Sequence, residues 1–223
     1  MLEQTKNPGI FMDRGPRGFR FYTKSLVPGM KVYEERTYKD AGVEYREWSV
    51  VKSKVGAALA KNILPLNVKE GDYVLYLGVA SGTTASHLSD IVGKKGMIFG
   101  IDIAPRVLRE LFFLAYDRNN IAPILADCAH PEEYENRICM CDFLIQDIAQ
   151  KGQVSIFIKN LKFLKPGGRA FLAVKARSID VTKAPFKIFE QVKRQLEENK
   201  IKIIYYKTLD PFERDHCVFL IEK

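Results

Sequence analysis

Long apolar runs are absent from this 223-residue sequence, and no stretch approaches the roughly 18–20 apolar residues that span a membrane. The first residues, Met1 to Lys6, contain no apolar segment typical of a signal peptide, so we expect none. Internal repeats and low-complexity tracts are also missing. With 47% hydrophobic and 28% charged residues, the chain is predicted to be an ordinary globular protein, long enough for one well-cored domain and a small additional one.

Cysteine and histidine are scarce, with four and three residues respectively. No second Cys pair or His stands at the spacing of a zinc site, and we predict no metal centre. Two cysteines flank an apolar run that has the character of a buried strand. We expect reduced, buried thiols of an intracellular protein at all four positions, which are Cys128, Cys139, Cys141 and Cys217.

Two common nucleotide-binding signatures are missing as well. There is no Gly-Lys-Ser/Thr of a P-loop and no Gly-x-Gly-x-x-Gly of a dinucleotide fold. Instead, an apolar run beginning at Tyr73 ends in the turn Gly78-Val79-Ala80-Ser81-Gly82-Thr83-Thr84, beyond which a helical pattern starts. Glycines in such a turn let the backbone approach a ligand, and the free N–H groups of the new helix point at it. This layout predicts a cofactor site.

Apolar runs alternate with helical patterns from Tyr73 onward, which predicts an α/β fold with a mainly parallel sheet. The predicted strands are Tyr73–Gly78, Met97–Asp102, Ile121–Ala126, Asp142–Asp147, Arg169–Ala176, Ile201–Leu209 and His216–Glu222. The predicted helices are Val51–Ile63, Thr83–Val92, Arg106–Asn119, Gln153–Leu164 and Ala184–Asn199. Only residues 210–215 connect the last two strands, so we expect an antiparallel hairpin at the end of the sheet.

The first fifty residues have a different pattern. Short β-prone runs (Phe19–Tyr22, Lys31–Tyr33 and Val43–Trp48) are separated by turn residues, which predicts a small antiparallel β domain. We interpret Arg14-Gly15-Pro16-Arg17-Gly18 as a turn. The predicted division is a β domain at residues 1–50 and an α/β domain at residues 51–223.

Acidic residues end three consecutive predicted strands. Asp102 lies 24 residues after Gly78, close to the spacing at which an acid accepts hydrogen bonds from a ribose, and the next strands end at Asp127 and Asp147. The carboxyl ends of parallel strands share one edge of the sheet. Acids there suit S-adenosylmethionine, which has a positive sulfonium, a ribose that seeks an acid and an adenine amine that seeks an acceptor.

Positive charge is concentrated in one region. The sequence has a net charge of +8, and residues 151–208 hold 14 Lys or Arg against 4 Asp or Glu, whereas residues 101–150 hold 4 against 9. A confined basic zone is typical of proteins with a polyanionic partner, although a solvated lysine-rich surface is the alternative. No RRM, KH or zinc-knuckle motif that would read bases is present.

Several ordered motifs resemble the fibrillarin family in its short archaeal form. The matching stretches are Glu44-Tyr45-Arg46-x-Trp48, Ser53-Lys54, Leu75-Tyr76-Leu77-Gly78-x-Ala80-Ser81-Gly82-Thr83-Thr84, Asp147-x-Ala149-Gln150, Lys175-Ala176-Arg177-Ser178-Ile179-Asp180 and Glu213-Arg214-Asp215-His216. Residues 1–43 match the small N-terminal domain more loosely. Val79 replaces a small residue, and Asp102 stands where Glu is frequent.

The resemblance implies a class I S-adenosylmethionine-dependent methyltransferase fold, Rossmann-like, with a seven-stranded sheet and an antiparallel last strand. It implies an RNA 2′-O-methyltransferase that modifies rRNA and tRNA. The implied partners are a box C/D guide RNA, a Nop-domain scaffold protein and a kink-turn-binding ribosomal-type protein. Because the glycine-arginine tail of eukaryotic members is absent, the expected location is the cytoplasm of an archaeal-type cell.

The resemblance also assigns site residues. The implied catalytic residues are Lys54, Asp147, Lys175 and His216. The cofactor-binding residues, from the turn and strand-end analysis and the resemblance together, are Gly78, Ser81, Gly82, Thr83, Thr84, Asp102, Ile103, Asp127, Cys128, Asp147, Ile148, Ala149 and Gln150. Lys175 follows an apolar run, where a charged side chain is energetically unfavourable unless it is paired or functional.

Individual roles follow as hypotheses. Lys175 contacts the ribose 2′-oxygen and either accepts its proton or orients it and stabilises negative charge; a nearby Asp147 favours the ammonium, whereas Lys54 and burial favour the amine. His216 orients or relays. We interpret His87 and His130 as structural.

Three alternative functions stay open at this point. The first is a methyltransferase acting on protein glutamine or another non-RNA substrate, since fibrillarin-like proteins are also associated with glutamine modification. The second is a non-catalytic RNA-bound scaffold, which the presence of Lys175 and Asp147 disfavours. The third is a dinucleotide-dependent oxidoreductase, which the missing third glycine and the terminal hairpin disfavour.

Overall fold

Two β-sheets organise the computed structural model, which describes residues 2–15, 18–62 and 65–223. The first sheet is antiparallel throughout and has the strand order β1-β2-β3-β5-β4. Its strands are β1 (Glu3–Gln4), β2 (Ile10–Gly15), β3 (Gly18–Lys24), β4 (Thr37–Asp40) and β5 (Val43–Trp48). The small antiparallel N-terminal sheet predicted from the sequence is confirmed.

One predicted strand of this region is wrong. Residues 31–33 form no strand, and Val32 and Tyr33 lie in a bend. The carboxylate of Glu35 accepts the backbone N–H groups of Val32 and Tyr33 at 2.8–3.1 Å, which replaces the ladder bonds that a strand would need. In the segment predicted as a turn, Gly15 at the end of β2 pairs with Gly18 at the start of β3, and residues 16 and 17 lie outside the described residues.

The second sheet has seven strands in the order β11-β12-β10-β9-β6-β7-β8. They are β6 (Tyr73–Leu77), β7 (Met97–Asp102), β8 (Ile121–Leu125), β9 (Cys141–Gln146), β10 (Leu164–Lys175), β11 (Lys202–Thr208) and β12 (His216–Glu222). Strands β6 to β10 pair in parallel, and β12 lies antiparallel between β10 and β11. The predicted parallel sheet with a terminal antiparallel hairpin is confirmed.

Strand β10 begins earlier than expected. The sequence predicts a helix that ends at Leu164 and a strand that begins at Arg169, but residues 164–168 already belong to the strand, where the register shifts between Leu164 and Arg169. The preceding helix ends at Asn160 and is followed by a single 3₁₀ turn.

Helices cover both faces of this sheet. They are α1 (Lys54–Ala60), α2 (Thr83–Val92), α3 (Pro105–Arg118), α4 (Gln153–Asn160), α5 (Ala176–Ile179) and α6 (Pro185–Glu198). Within β6, Val74 and Tyr76 pack with α1, α2 and α3, whereas Leu75 and Leu77 pack with α4 and α6. None of these helices is both long and apolar enough to cross a membrane.

Helix α1 starts three residues later than predicted. Ser53 caps it by accepting the backbone N–H of Gly56, and Val51, the predicted first residue of the helix, is 62% exposed. Ile63, the predicted end of the helix, lies outside the described residues.

The two edges of the seven-stranded sheet are formed by β8 and β11. Pro123 lies in the middle of β8, paired with Gly100 of β7. The backbone oxygen of Asn120 and the backbone N–H of Ala126 both bond to β7. Because successive residues of a strand direct their backbone N–H and C=O groups to alternate sides, the nitrogen of Pro123 faces away from β7, toward the outside of the sheet. In β11 the register shifts between Ile203 and Tyr205.

A buried charge cluster joins the two sheets. Asp90 of α2 accepts Arg46 of β5 at 2.8 Å and Arg118 of α3 at 2.7 Å, and none of the three side chains is exposed. Its carboxylate also accepts the Thr23 hydroxyl and the Leu26 backbone N–H at 2.7 and 2.9 Å. Four donors therefore converge on one carboxylate and connect β3, β5, α2 and α3.

His87 of α2 extends this network. The imidazole lies between two hydroxyl groups: its Nδ1 is 2.7 Å from the hydroxyl of Thr23, and its Nε2 is 2.7 Å from the hydroxyl of Tyr33. The imidazole stacks on Trp48, with ring centroids 4.8 Å apart. Burial, followed by the charges of the neighbouring arginines, lowers the pKa of His87 well below its ordinary 6.5.

Candidate active site

The glycine turn after β6 is shaped by close backbone contacts. Gly78 adopts φ +78°, and a Cβ at this position would lie 2.3 Å from the backbone oxygen of Asp147. Gly82 adopts φ +99°, and a Cβ there would lie 2.6–2.7 Å from side-chain carbons of Leu111 and Leu114. Both positions therefore require glycine, and the turn presses directly against the segment that follows β9.

The acid at the end of β7 organises this turn. The carboxylate of Asp102 accepts the backbone N–H of Ala80 through one oxygen and that of Ala104 through the other, both at 2.9 Å. Asp127, after β8, accepts the backbone N–H of Ala129 at 2.9 Å. Each carboxylate keeps unused lone pairs, so both can accept further hydrogen bonds from a ligand.

A cleft of about 310 Å³ opens at the carboxyl ends of β6 to β9. Its lining includes nine of the thirteen residues predicted to bind the cofactor, together with Ala80. The lining residues are Gly78, Ala80, Asp102, Ile103, Asp127, Cys128, Asp147, Ile148, Ala149 and Gln150. Cys128 contributes a neutral thiol there, because burial raises its pKa to about 12.

The four remaining predicted cofactor residues, Ser81 to Thr84, run from the glycine turn into the first two residues of α2, beside the cleft. Gly82 occupies the N-cap position and has no side chain to cap the helix, so the first N–H groups of α2 stay available to a ligand. The Thr84 hydroxyl points elsewhere, since it is buried and bonded to Ser53 at 2.9 Å.

Lys54 and Asp147, two of the predicted catalytic residues, form an ion pair. Lys54 is the first residue of α1, and its Nζ lies 3.0 Å from Oδ2 of Asp147, which follows β9. The side chains are 21% and 25% exposed, so the pair is partly accessible to solvent, and its Asp147 lines the cleft. The sequence places these residues 93 positions apart.

The other two predicted catalytic residues are partners across adjacent strands. Lys175 ends β10 and pairs with His216, the first residue of β12. In the neighbouring strand pair, Leu172 of β10 lies opposite Gln146 of β9, the residue before Asp147. Lys175, His216 and Asp147 therefore lie at the same end of the sheet, where the parallel strands finish. Lys175 is exposed, and Asp147, its expected neighbour, is paired with Lys54 instead.

The imidazole of His216 has a defined orientation. Its Nδ1 lies 2.6 Å from the carbonyl oxygen of Arg214, which can only accept, so Nδ1 carries a hydrogen. The ring is mostly buried, and the carboxylate of Glu213 lies 3.8 Å from the same nitrogen. Nε2 is therefore the atom that carries the lone pair of the neutral ring.

A larger cavity of about 740 Å³ lies on the N-terminal sheet, between β3, β5 and the segment before α1. Its lining combines acidic and basic side chains, including the buried Glu35, with Tyr33 and Phe19, and it contains none of the predicted site residues. We assign the site to the smaller cleft because the strand-end acids and the glycine turn meet there.

Two site features were not predicted from the sequence. Ala80 lines the cleft, and its φ of +51° is held by the bond to Asp102; an alanine carries no chemical signal. Ser53, which borders Lys54, belongs to a stretch that resembles the fibrillarin family, but the sequence alone indicates no role for it. Among the cysteines, Cys128, Cys141 and Cys217 are buried as expected, but Cys139 is exposed because it lies in the segment before β9.

Comparison with known proteins identifies the family. Residues 1–223 match the sequence model of the Fibrillarin family. A fibrillarin-like rRNA/tRNA 2′-O-methyltransferase of Pyrococcus furiosus is 46% identical over 226 residues, which cover 100% of this chain and 98% of the relative.

Solved structures agree over the same span. Aeropyrum pernix fibrillarin, crystallised with natively bound S-adenosyl-L-methionine, is 44% identical and has a TM-score of 0.90 over 99% of this chain and 97% of its own. A fibrillarin chain from a fibrillarin/Nop5p complex is 34% identical, with a TM-score of 0.88 over 98% and 99% of the two chains. This chain, with its glycine turn, strand-end acids and Lys54–Asp147 pair, therefore belongs to the fibrillarin family.

Proposed function

We propose that this protein is an RNA 2′-O-methyltransferase that uses S-adenosylmethionine to methylate ribose 2′-hydroxyl groups of rRNA and tRNA. The observation that carries the proposal is the Lys54–Asp147 ion pair, whose Asp147 lines the strand-end cleft, at the same end of the sheet as Lys175 and His216. The name of the Pyrococcus relative supports the reaction and the substrates.

The cleft suits S-adenosylmethionine in three respects. Gly78 admits close approach to the backbone, since a side chain there would meet Asp147. Asp102 and Asp127 offer carboxylate oxygens to ribose hydroxyls and to an adenine amine. The uncapped start of α2, at Thr83 and Thr84, offers N–H groups to the carboxylate of the methionine part. The bound cofactor in the Aeropyrum relative supports this assignment.

When bound, S-adenosylmethionine supplies an activated methyl group: its C–S bond breaks as a C–O bond forms, the sulfonium becomes a neutral thioether, and the 2′-hydroxyl gives up its proton. The protein must align the oxygen and manage that proton. We assign Lys175 to the 2′-oxygen because it is exposed at the sheet edge and Asp147 is already engaged by Lys54.

The other residues hold this arrangement. Asp147 fixes the Lys54 amine at 3.0 Å, and Lys54 in turn neutralises the carboxylate beside the reacting centre. His216 lies across from Lys175, and its Nδ1–H bond to Arg214 sets the ring orientation. Its free Nε2 is positioned to relay the proton or to orient the lysine.

RNA binding and target choice are assigned to different parts of the assembly. The basic segment 151–208 includes Lys175 and tracks phosphates, whereas the sequence has no motif that reads bases. Target sites are then chosen by a box C/D guide RNA, with a Nop-domain scaffold and a kink-turn-binding protein. The solved fibrillarin/Nop5p complex supports the scaffold partner.

The division of labour within the chain is also a proposal. Residues 1–50 form the small β domain and residues 51–223 the methyltransferase domain, with the boundary between β5 and α1. The two share the buried network around Asp90, so we expect them to unfold together.

The test measures methyl incorporation into a matched target RNA by the particle assembled with guide RNA and scaffold. Lys175→Ala is expected to abolish methylation while calorimetry still detects S-adenosylmethionine binding. Lys94→Ala is the matched control, because Lys94 is an exposed lysine that precedes β7, at the end of the strands opposite to the cleft. Full turnover by Lys175→Ala would overturn the assignment, and methylation of a protein in place of RNA would favour the alternative substrate class.

A pH series on the same particle separates the two roles of Lys175. A base must start unprotonated, whereas a residue that stabilises negative charge must keep its proton. Rates that rise with pH until a plateau indicate the first role, and rates that fall as the amine loses its proton indicate the second.

A further inference from the structure

The hydroxyl of Ser53 is buried at the start of α1, directly before Lys54, and is 3% exposed as a residue. It makes three hydrogen bonds. Its partners are Nε1 of Trp48 at 2.9 Å, the backbone N–H of Gly56 at 3.1 Å and the hydroxyl of Thr84 at 2.9 Å.

The direction of these bonds follows from the chemistry of the partners. An indole N–H and a backbone N–H can only donate, so they occupy both lone pairs of Ser53 Oγ. The single hydroxyl hydrogen must then go to Thr84. Every bonding position of Ser53 is filled, and its place is specified from β5, from α1 and from α2.

An ordinary helix cap needs only the bond to Gly56, which aspartate or asparagine could also accept. The two additional bonds tie the cap to elements that define the site. Trp48 is 1% exposed and stacked on His87, so it forms a rigid donor. Thr84 lies in the first turn of α2, next to the glycine turn that lines the cofactor cleft.

We propose that Ser53 is a positioning residue for methyl transfer, which holds Lys54 in register with Asp147 by tying the start of α1 to Trp48 and Thr84. This inference rests on the proposed function. Ser53 does not line the cleft and acts only through Lys54, the next residue, whose amine reaches Asp147 at 3.0 Å. The N-terminal sheet, through Trp48, thereby takes part in arranging the catalytic lysine.

The contacts of Ser53 indicate how much its loss should change kcat and cofactor binding. Without the hydroxyl, the start of α1 loses its cap and both lateral bonds, and the Lys54 amine no longer has one defined position. Since a misplacement of about 1 Å in an active site can lower the rate by about 100-fold, Ser53→Ala should lower kcat at least about tenfold. Binding of S-adenosylmethionine should change less than about threefold, because the cleft lining is untouched.

The experiment uses the particle assembled with guide RNA, scaffold and target RNA. It compares kcat, the KM for RNA and the Kd for S-adenosylmethionine in Ser53→Ala, Lys54→Ala and the double variant. If Ser53 acts through Lys54, the double variant should be about as slow as Lys54→Ala alone. If the losses in kcat of the two single variants multiply in the double variant, Ser53 acts independently of Lys54, and the inference is overturned.

Two further variants separate positioning from stability. Ser53→Thr keeps a hydroxyl that can cap, accept and donate, and should restore kcat to within about threefold of the parent. Ser89→Ala removes a buried hydroxyl elsewhere, on α2, which bonds Asn120 at 2.6 Å at the end of that helix remote from the cleft. It should lower the unfolding temperature without lowering kcat. If Lys54→Ala is fully active, the proposed function fails; if only Ser53→Ala is fully active, the positioning role fails.

Discussion

Substitution of Asp90 by asparagine tests the junction between the two sheets. The carboxylate accepts four hydrogen bonds, from Arg46, Arg118, Thr23 and the backbone of Leu26, at 2.7–2.9 Å. Asparagine has the same shape but only one acceptor oxygen. Its amide nitrogen would face two of the four donors, so at least two bonds would be lost, and a net positive charge would stay buried.

The magnitude follows from the burial of these groups. The side chains of Asp90, Arg46 and Arg118 are fully buried, so water cannot replace the lost partners. Removing one member of a buried ion pair typically costs about 3–5 kcal/mol, because the remaining charge is unpaired. For a protein of this length that corresponds to a fall in Tm of about 6–20 °C, and it is a large share of a typical total stability of about 5–15 kcal/mol.

Thermal and urea unfolding of the parent and Asp90→Asn provide the measurement. Asp117→Asn is the matched control, since Asp117 lies on α3 with an exposed side chain and undergoes the same chemical change. It should shift the free energy of unfolding by less than about 0.5 kcal/mol. A loss below about 1 kcal/mol in Asp90→Asn would refute the reasoning, because the cluster would then not depend on its charge.

Three other predictions concern the turn, the buried imidazole and the thiols. Gly78→Ala should weaken S-adenosylmethionine binding, measured by calorimetry, at least about tenfold, or about 1.4 kcal/mol, because its Cβ would lie 2.3 Å from the Asp147 backbone oxygen. Gly42→Ala is the control, since Gly42 also has a positive φ but a Cβ there would meet nothing within 4 Å. Equal losses of affinity in both variants would contradict the steric argument. Below pH 6.5, His87 takes up a proton in the unfolded chain but not in the folded protein, where burial lowers its pKa. The free energy of unfolding should therefore fall with decreasing pH more steeply than in His87→Gln, by up to about 1.4 kcal/mol per pH unit, until the lowered folded pKa is reached. Parallel pH curves for the two proteins would be inconsistent with a lowered pKa. Iodoacetamide on the native protein should add one adduct, at exposed Cys139, as read by mass spectrometry, since the other three thiols are buried; a second adduct would contradict this.

Much of the α/β fold could be predicted because its signals are local. Each parallel strand is a short apolar run, and the carboxyl ends of such strands share one edge, so Asp102, Asp127 and Asp147 were expected to meet there. The cleft brings all three together. The terminal hairpin was predictable for a similar reason, since six residues leave no room for a crossover helix.

The contacts between distant segments could not be predicted in the same way. Arg46 and Asp90 are 44 positions apart, and nothing in either local pattern specifies that they pair. The strand expected at residues 31–33 failed because a single carboxylate, that of Glu35, competes for the backbone donors. Thr84 belongs to the glycine-turn motif, yet its hydroxyl is bonded to Ser53, and only the packing of α1 against α2 decides this.

The proline in β8 has a consequence for the behaviour of the protein at high concentration. An open strand edge presents a row of N–H and C=O groups on which a second molecule can add its own strand, the first step of many aggregates. Because Pro123 has no N–H and its nitrogen faces outward, this row is interrupted at its centre. The irregular β11, with exposed Lys202 and Lys207, blunts the opposite edge. Both borders of the sheet thus resist strand addition, so copies of the protein crowded together are protected against edge-to-edge polymerisation.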